Sequence, residues 1–225
     1  MKRFVLAFFC SMLIGPAVAK ASDASTMLEN YSYAMGVQFG QLLKAQGITQ
    51  LDSAAFSAAV DDVLGGRSLR LSTSEMTSAI RDQQQVLNAQ RAETAQARLQ
   101  AGNDFLAENA KRSDVVVLPS GLQYRVLETG SGELPGPEDR VRVHYQGTLL
   151  DGSVFDSSVQ RGQPAEFPLA GVIPGFREAL SNMRAGDHWE VFIPSALAYG
   201  ERGAGAKIGP NETLIFDIQL LDILR

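Results

Sequence analysis

The chain is poor in the side chains that most enzymes use to move protons or hold metals. It has one cysteine and two histidines in 225 residues. Neither Cys/His nucleophilic catalysis nor a zinc site has enough parts, so no metal and no other cofactor is expected. The single cysteine, Cys10, lies in an N-terminal apolar run and can form no disulfide within the chain. No Walker loop, H-E-x-x-H or G-x-S-x-G occurs. Positive charge is also short, with 20 Lys and Arg against 25 Asp and Glu, which argues against nucleic acid as a partner. After Ile14 no run is long and apolar enough to span a bilayer.

The N-terminus has its own pattern. Met1-Lys2-Arg3 is a basic start, Phe4 to Ile14 is apolar, Gly15-Pro16 breaks the run, and small residues follow through Ala21. This is the layout of a secretory signal peptide over residues 1–21, with cleavage near Ala19 or Ala21 and a periplasmic or secreted product. Phe8-Phe9 stand where a lipid-attachment signal at Cys10 would need small residues, so no lipid anchor is expected. Cleavage after Ala21 leaves 17 basic residues against 25 acidic ones, a net charge of −8.

Residues 22–112 contain no proline and read as helices. Thr26-Met27-Leu28-Glu29 has the form of a capping box. Leu28, Tyr31, Met35, Phe39 and Leu42 follow at helical spacing, and Gly47 suits the stop. A second helix starts near Asp52, carries Phe56, Val60 and Val63 on one face, and ends at Gly65-Gly66. A third starts at the capping box Ser72-Thr73-Ser74-Glu75 and has no stop before about Arg112, with Gly102 as its weak point. Its middle, from Arg81 to Gln100, has a thin apolar seam and reads as a solvated stalk. The first two helices enclose little core alone. A homodimer through residues of about 23–75 would cover their apolar faces.

Residues 113–225 hold eight of the nine prolines. Val115–Val117, Leu122–Leu127, Arg140–Thr148, His188–Ile193 and Thr213–Leu224 read as strands. Asp151-Gly152 signals a hairpin turn. One short helix fits, Phe176 to Met183. The expected class is α+β: an all-α dimerisation module with a long stalk helix (22–112), then an antiparallel β half-barrel wrapped on one short helix (113–225).

The run Val154-Phe155-Asp156-Ser157-Ser158 sits between Val143-His144-Tyr145 and Ala198-Tyr199-Gly200. It sets one carboxylate among bulky aromatics with no base beside it. Such a site strips water from an amide and holds it, which suits rotation about a peptide bond to proline. On spacing alone, Phe167, Val172, Phe176 and Phe216 read as plain core before pocket, and Asp156 as a turn cap with Ser157 and Ser158 before any site role. His144 falls on the opposite strand face from Tyr145, and His188 opens a strand beside Trp189, so both read as structural. Gly203-Ala204-Gly205-Ala206-Lys207-Ile208-Gly209 has neither the spacing nor the following helix of a phosphate loop. It reads as a loop on the pocket rim.

Ordered pieces across residues 119–223 carry a resemblance. They are Pro119-Ser120-Gly121-Leu122-Gln123-Tyr124, Val143-His144-Tyr145-Gln146-Gly147, Gly152-Ser153-Val154-Phe155-Asp156-Ser157-Ser158, Val172-Ile173-Pro174-Gly175-Phe176 and Leu214-Ile215-Phe216-Asp217-Ile218-Gln219-Leu220-Leu221. This half resembles the FKBP-type peptidyl-prolyl cis/trans isomerases. The helical half, with Ser32-Tyr33-Ala34-Met35-Gly36, is similar to the dimerisation module of the macrophage-infectivity-potentiator subfamily. The resemblance implies an isomerase that assists folding of exported proteins. Asp156, Tyr199 and Phe155 would be catalytic, and Tyr145, Phe167, Val172, Ile173, Phe176, Ile208 and Phe216 would bind substrate. In that picture Asp156 orients Tyr145, while the Tyr199 hydroxyl and the Ile173 N–H meet carbonyls. It also implies unfolded or partly folded proline-containing proteins as partners, and a pocket able to take macrolide inhibitors. Phe176 stands where the family usually has tryptophan. Ala204 stands where the best-known eukaryotic members carry histidine. The alternative expectation is a holdase chaperone or binding module that uses the same fold without significant isomerase activity.

Overall fold

A computed structural model describes residues 17–224, with side chains from Asp23 onward. The basic start, the apolar run and Cys10 of the expected leader lie outside the described residues. By its contacts the chain divides into two compact units, Met1–Leu87 and Asn88–Arg225.

The first unit is helical. Helix α1 spans Ala17–Ala45 and α2 spans Ser53–Leu64. The expected start of α1 at Thr26 is overturned: nothing between Ala17 and Ser25 breaks a helix, and the capping box lies inside one. Gly47, at φ +80°, ends α1 as expected, with the Ile48 N–H returning to the Leu43 carbonyl. Asp52 caps α2 by accepting hydrogen bonds from the Ala54 and Ala55 N–H groups. Helix α3 spans Thr73–Asn109 and runs through both units. Its capping box forms as read: the Ser72 N–H donates to Glu75, and the Glu75 N–H donates back to Ser72 Oγ. At 1.5 Å per residue this helix is about 55 Å long, and Gly102 does not break it. Not one residue from Asp23 to Leu87 is buried.

The second unit is an antiparallel sheet wrapped on one helix. Strands β1 (Val116–Val117), β2 (Gln123–Glu128), β3 (Arg140–Thr148), β4 (Val154–Ser157), β5 (Ala165–Pro168), β6 (His188–Ile193) and β7 (Leu214–Leu224) are ordered β1-β2-β6-β7-β3-β4. Strand β5 pairs with the first half of β3, and β4 with its second half. The strands read from sequence form within a residue of their expected bounds. Strands β4 and β5 were not expected. Each has four residues, too few for an alternating pattern to be read.

Helix α4 spans Pro174–Asn182, with proline at its first position. Phe176, Ala179 and Leu180 of α4, and Met183 just after it, meet the inward face of the sheet. That face is built by period-two alternation: Val141, Val143 and Tyr145 from β3, Val191 and Ile193 from β6, Leu214, Phe216, Ile218 and Leu220 from β7. The other side of β6 is also covered. Phe192 packs against Phe105 of α3, with ring centroids 5.8 Å apart. Asn109 donates to Gln123 at 2.9 Å, and Gln123 donates to the Leu106 carbonyl at 2.9 Å. The last turns of α3 thus pack with the sheet, and the contact boundary falls at residue 88 although strand-like composition begins at 113.

Candidate active site

One end of the inward face gathers an aromatic cup, whose outer members Phe155, Phe167, Val172 and Ile173 are only partly buried. Phe176, at the start of α4, forms its floor and is only 4% exposed. Three rings meet it edge-on or tilted: Phe216 at 5.0 Å, Tyr145 at 5.9 Å and Phe167 at 6.2 Å between centroids. Phe155 of β4 meets Phe216 at 5.4 Å and 85°. Such edge-to-face contacts hold each ring at a set angle. Val172 and Ile173 pack against the same core, and Ile208 is buried in it. The sequence places Gly147 on β3 for a steric reason. A Cβ there would lie 2.3 Å from Phe155 Cζ and 2.8 Å from Phe216 Cε1.

At the rim stands the carboxylate. Asp156 accepts a hydrogen bond from the Tyr145 hydroxyl at 2.5 Å and an ion pair from Arg161. Arg161 also donates to the Tyr145 hydroxyl oxygen at 3.0 Å, closing a triangle of three groups. Burial pushes the Asp156 carboxyl upward, but the hydrogen bonds from Tyr145 and Arg161 outweigh it, and the group ends below its usual range. Burial and the bond to Asp156 raise the Tyr145 hydroxyl, which therefore stays a donor at neutral pH. Burial and the Asp156 charge raise Tyr199 as well. Tyr199 is 39% exposed and joins none of the ring contacts. Its hydroxyl and the Ile173 N–H have no hydrogen-bond partner among the described residues.

Sequence reasoning missed Arg161 and Lys207. Arg161 follows Asp156 by five residues across a turn, a spacing that could have been read as an ion pair. Lys207 donates to the Phe155 carbonyl at 3.0 Å, a long-range contact with no local signal. The histidines lie elsewhere. His144 bonds Ser158 Oγ at 3.1 Å, and His188 pairs with Asp217 at 2.8 Å. Ser158 in turn accepts from the Tyr145 N–H at 2.8 Å, so the serine after the aspartate fixes the strand that carries the tyrosine. Residues 203–209 form a tight turn closed by reciprocal Ala204 and Ile208 backbone bonds, not an anion cradle. Among the described residues, no cluster of His, Cys, Asp and Glu could hold a metal.

A family profile for FKBP-type peptidyl-prolyl cis-trans isomerases matches residues 132–221, and one for the domain amino-terminal to that isomerase matches residues 28–126. The FKBP-type 22 kDa isomerase of Escherichia coli K12 is 48% identical over 86% of this chain and 94% of its own.

This chain belongs to the FKBP-type peptidyl-prolyl cis-trans isomerases.

The isomerase Mip of Coxiella burnetii is 39% identical over the full length of both chains. The crystal structure of FkpA from Escherichia coli matches with a TM-score of 0.66 at 36% identity, covering 86% of this chain and 95% of that one. As an FKBP-type enzyme the chain is a prolyl isomerase of α+β architecture.

Proposed function

We propose that this FKBP-type isomerase turns X–Pro bonds of exported, incompletely folded proteins in the cup of Tyr145, Phe155, Phe167, Val172, Ile173, Phe176, Ile208 and Phe216. The observation that carries the reading is a cluster of aromatic rings with a carboxylate at its rim and two donors without a protein partner. The X–Pro barrier is roughly 18–20 kcal/mol. The planar amide is more dipolar than the twisted one, so water favours the ground state. Removing that water is worth roughly 1–3 kcal/mol, and each tenfold needs about 1.4 kcal/mol. Desolvation thus supplies roughly ten- to a hundredfold, and donors that bind the twisted carbonyl more strongly must add the rest. The Tyr199 hydroxyl and the Ile173 N–H are suited to that task. Asp156, held by Arg161, orients Tyr145 and sets the field at the rim. No proton leaves any group. The same cup would accept a macrolide inhibitor through its apolar rings.

Residues 23–75 form the homodimer interface in this reading. Met27, Leu28, Tyr31, Phe39, Val60 and Val63 are all exposed, and no residue of this stretch is buried. A second copy would cover them. The leader over 1–21 directs the chain to the periplasm or beyond, which agrees with a 41% identical relative in Legionella longbeachae named outer membrane protein MIP. The helical module then covers 22–112 and the isomerase region 113–225. The test is proline-limited refolding of a model protein. Acceleration by the intact chain, abolished by Phe155→Ala and Asp156→Ala, supports the reading. Undiminished acceleration by both variants overturns the site. Suppression of client aggregation without any acceleration would favour the holdase alternative.

A further inference from the structure

The loop that carries Ile208 leaves the pocket rim and runs directly onto α3. Four contacts fall within five residues of loop. The Asn211 side-chain amide donates to the Ala95 carbonyl at 3.2 Å. Arg98 Nε pairs with Glu212 Oε1 at 2.7 Å, and the Glu212 side chain is only 11% exposed. The Arg98 guanidinium lies over Gly209, where a Cβ would fall 2.2 Å from Nη1. Thr213, buried, presses on Gly102 of the helix, where a Cβ would fall 2.3 Å from Thr213 Oγ1. Gly102 is thus required by the loop's approach, although it weakens the helix that carries it.

The fastening reaches the pocket by a short route. Asn211 holds a left-handed backbone, at φ 59°, a conformation asparagine tolerates better than most side chains. Its N–H donates to the Gly200 carbonyl at 2.8 Å, and Gly200 directly follows Tyr199. On the other side of the loop, Ile208 is tied to Ala204. Asn211 is therefore gripped by α3 at its side chain and by the start of the loop at its backbone.

We propose that the Ala95–Gly102 segment of α3 is a platform that positions the pocket-rim loop. In it, Arg98 acts through Glu212 to hold Tyr199 and Ile208 in their substrate-ready places. The proposal rests on the pocket reading above, and it makes Arg98 a positioning residue that touches no pocket ring. A partly exposed ion pair adds little to global stability. Loosening it lets the loop leave the competent arrangement for part of the time, which weakens apparent binding by the competent fraction. Substrate that does bind still meets an intact cup.

The full-length protein tests this with Arg98→Ala and Glu212→Gln, the charge swap Arg98→Glu with Glu212→Arg, and Phe105→Ala as a packing control on the same helix. The two single variants are expected to raise KM for a proline tetrapeptide three- to tenfold with kcat within twofold. Amide exchange of residues 203–213 should quicken while that of β3 and β7 stays unchanged. The swap should recover most of the loss, and Phe105→Ala should lower the melting temperature without raising KM. Unchanged KM or unchanged loop exchange in Arg98→Ala overturns the proposal. So does failure of the swap, or an equal rise of KM in Phe105→Ala. Phe155→Ala and Asp156→Ala, assayed alongside, judge the pocket separately: undiminished activity in both removes the pocket reading whatever Arg98 does.

Discussion

Tyr145 shows how much one side chain is asked to do. Its ring walls the cup against Phe167, Phe176 and Phe216, and its hydroxyl holds Asp156. Tyr145→Phe keeps the wall and loses the donor. The expected outcome is a fall in kcat/KM of roughly tenfold, on the order of 1.4 kcal/mol, with only a small fall in melting temperature from the lost bond to Asp156. Phe176→Ala instead removes a buried floor and should cost about 3–5 kcal/mol in denaturant unfolding, together with activity. The pH profile follows from Asp156. Its folded-state value is depressed, first against burial and then by Tyr145 and Arg161. The stability it contributes is complete above the unfolded carboxyl value of about 4 and is lost as pH falls through the lower folded value. Activity should therefore be flat from about pH 6 to 8, and the network should fail only in acid. A steep change near the histidine range in a tetrapeptide assay would contradict this, because neither histidine touches the cup.

At the scale of elements, α3 does two jobs along one continuous helix. Its first half has no buried residue, and its second half buries Gly102, Leu106 and Asn109. A fragment of residues 88–225 keeps the Phe105–Phe192 packing and the Arg98–Glu212 pair, whereas one of residues 113–225 loses both. The longer fragment should match the full chain on a tetrapeptide. The shorter one should melt at a lower temperature and lose several-fold in kcat/KM. The single tryptophan makes the comparison direct. Trp189 stacks on Tyr124 with centroids 4.0 Å apart, inside the sheet unit, so its fluorescence reports that unit's unfolding alone.

At the scale of the whole molecule, the contrast between the units is the main fact. One is a packed sheet whose core residues are almost fully enclosed. The other presents Met27, Leu28, Tyr31, Tyr33, Leu64 and Ile80 to solvent in one copy. Ordering a helical hairpin without burial has no compensating gain. Sedimentation should therefore find a dimer for the full chain and a monomer for residues 88–225. Equal tetrapeptide rates with slower refolding of a protein client by the monomer would locate client handling in the paired helices.

Much of this protein was legible in its sequence because its signals are local. The Ser72/Glu75 capping box, the helix start at Asp52, the glycine at 47 and the alternation through Val141, Val143 and Tyr145 each act over a few residues, and each forms as read. The cup's proposed members were named through the family resemblance alone, because spacing cannot separate a pocket ring from a core ring. The start of α1, the two short edge strands and the Arg161 partner of Asp156 were not legible. A capping box does not stop a helix that nothing upstream interrupts. Four-residue strands borrow their conformation from β3. Arg161 meets Tyr145 across 16 residues, Lys207 meets Phe155 across 52, and Asn211 meets Ala95 across 116. Local patterns of charge, cap and period thus determined the elements and their faces. Which charge meets which rim, and that the end of the long helix belongs to the enzyme, was decided only by folding, because those contacts join segments that share no neighbourhood along the chain.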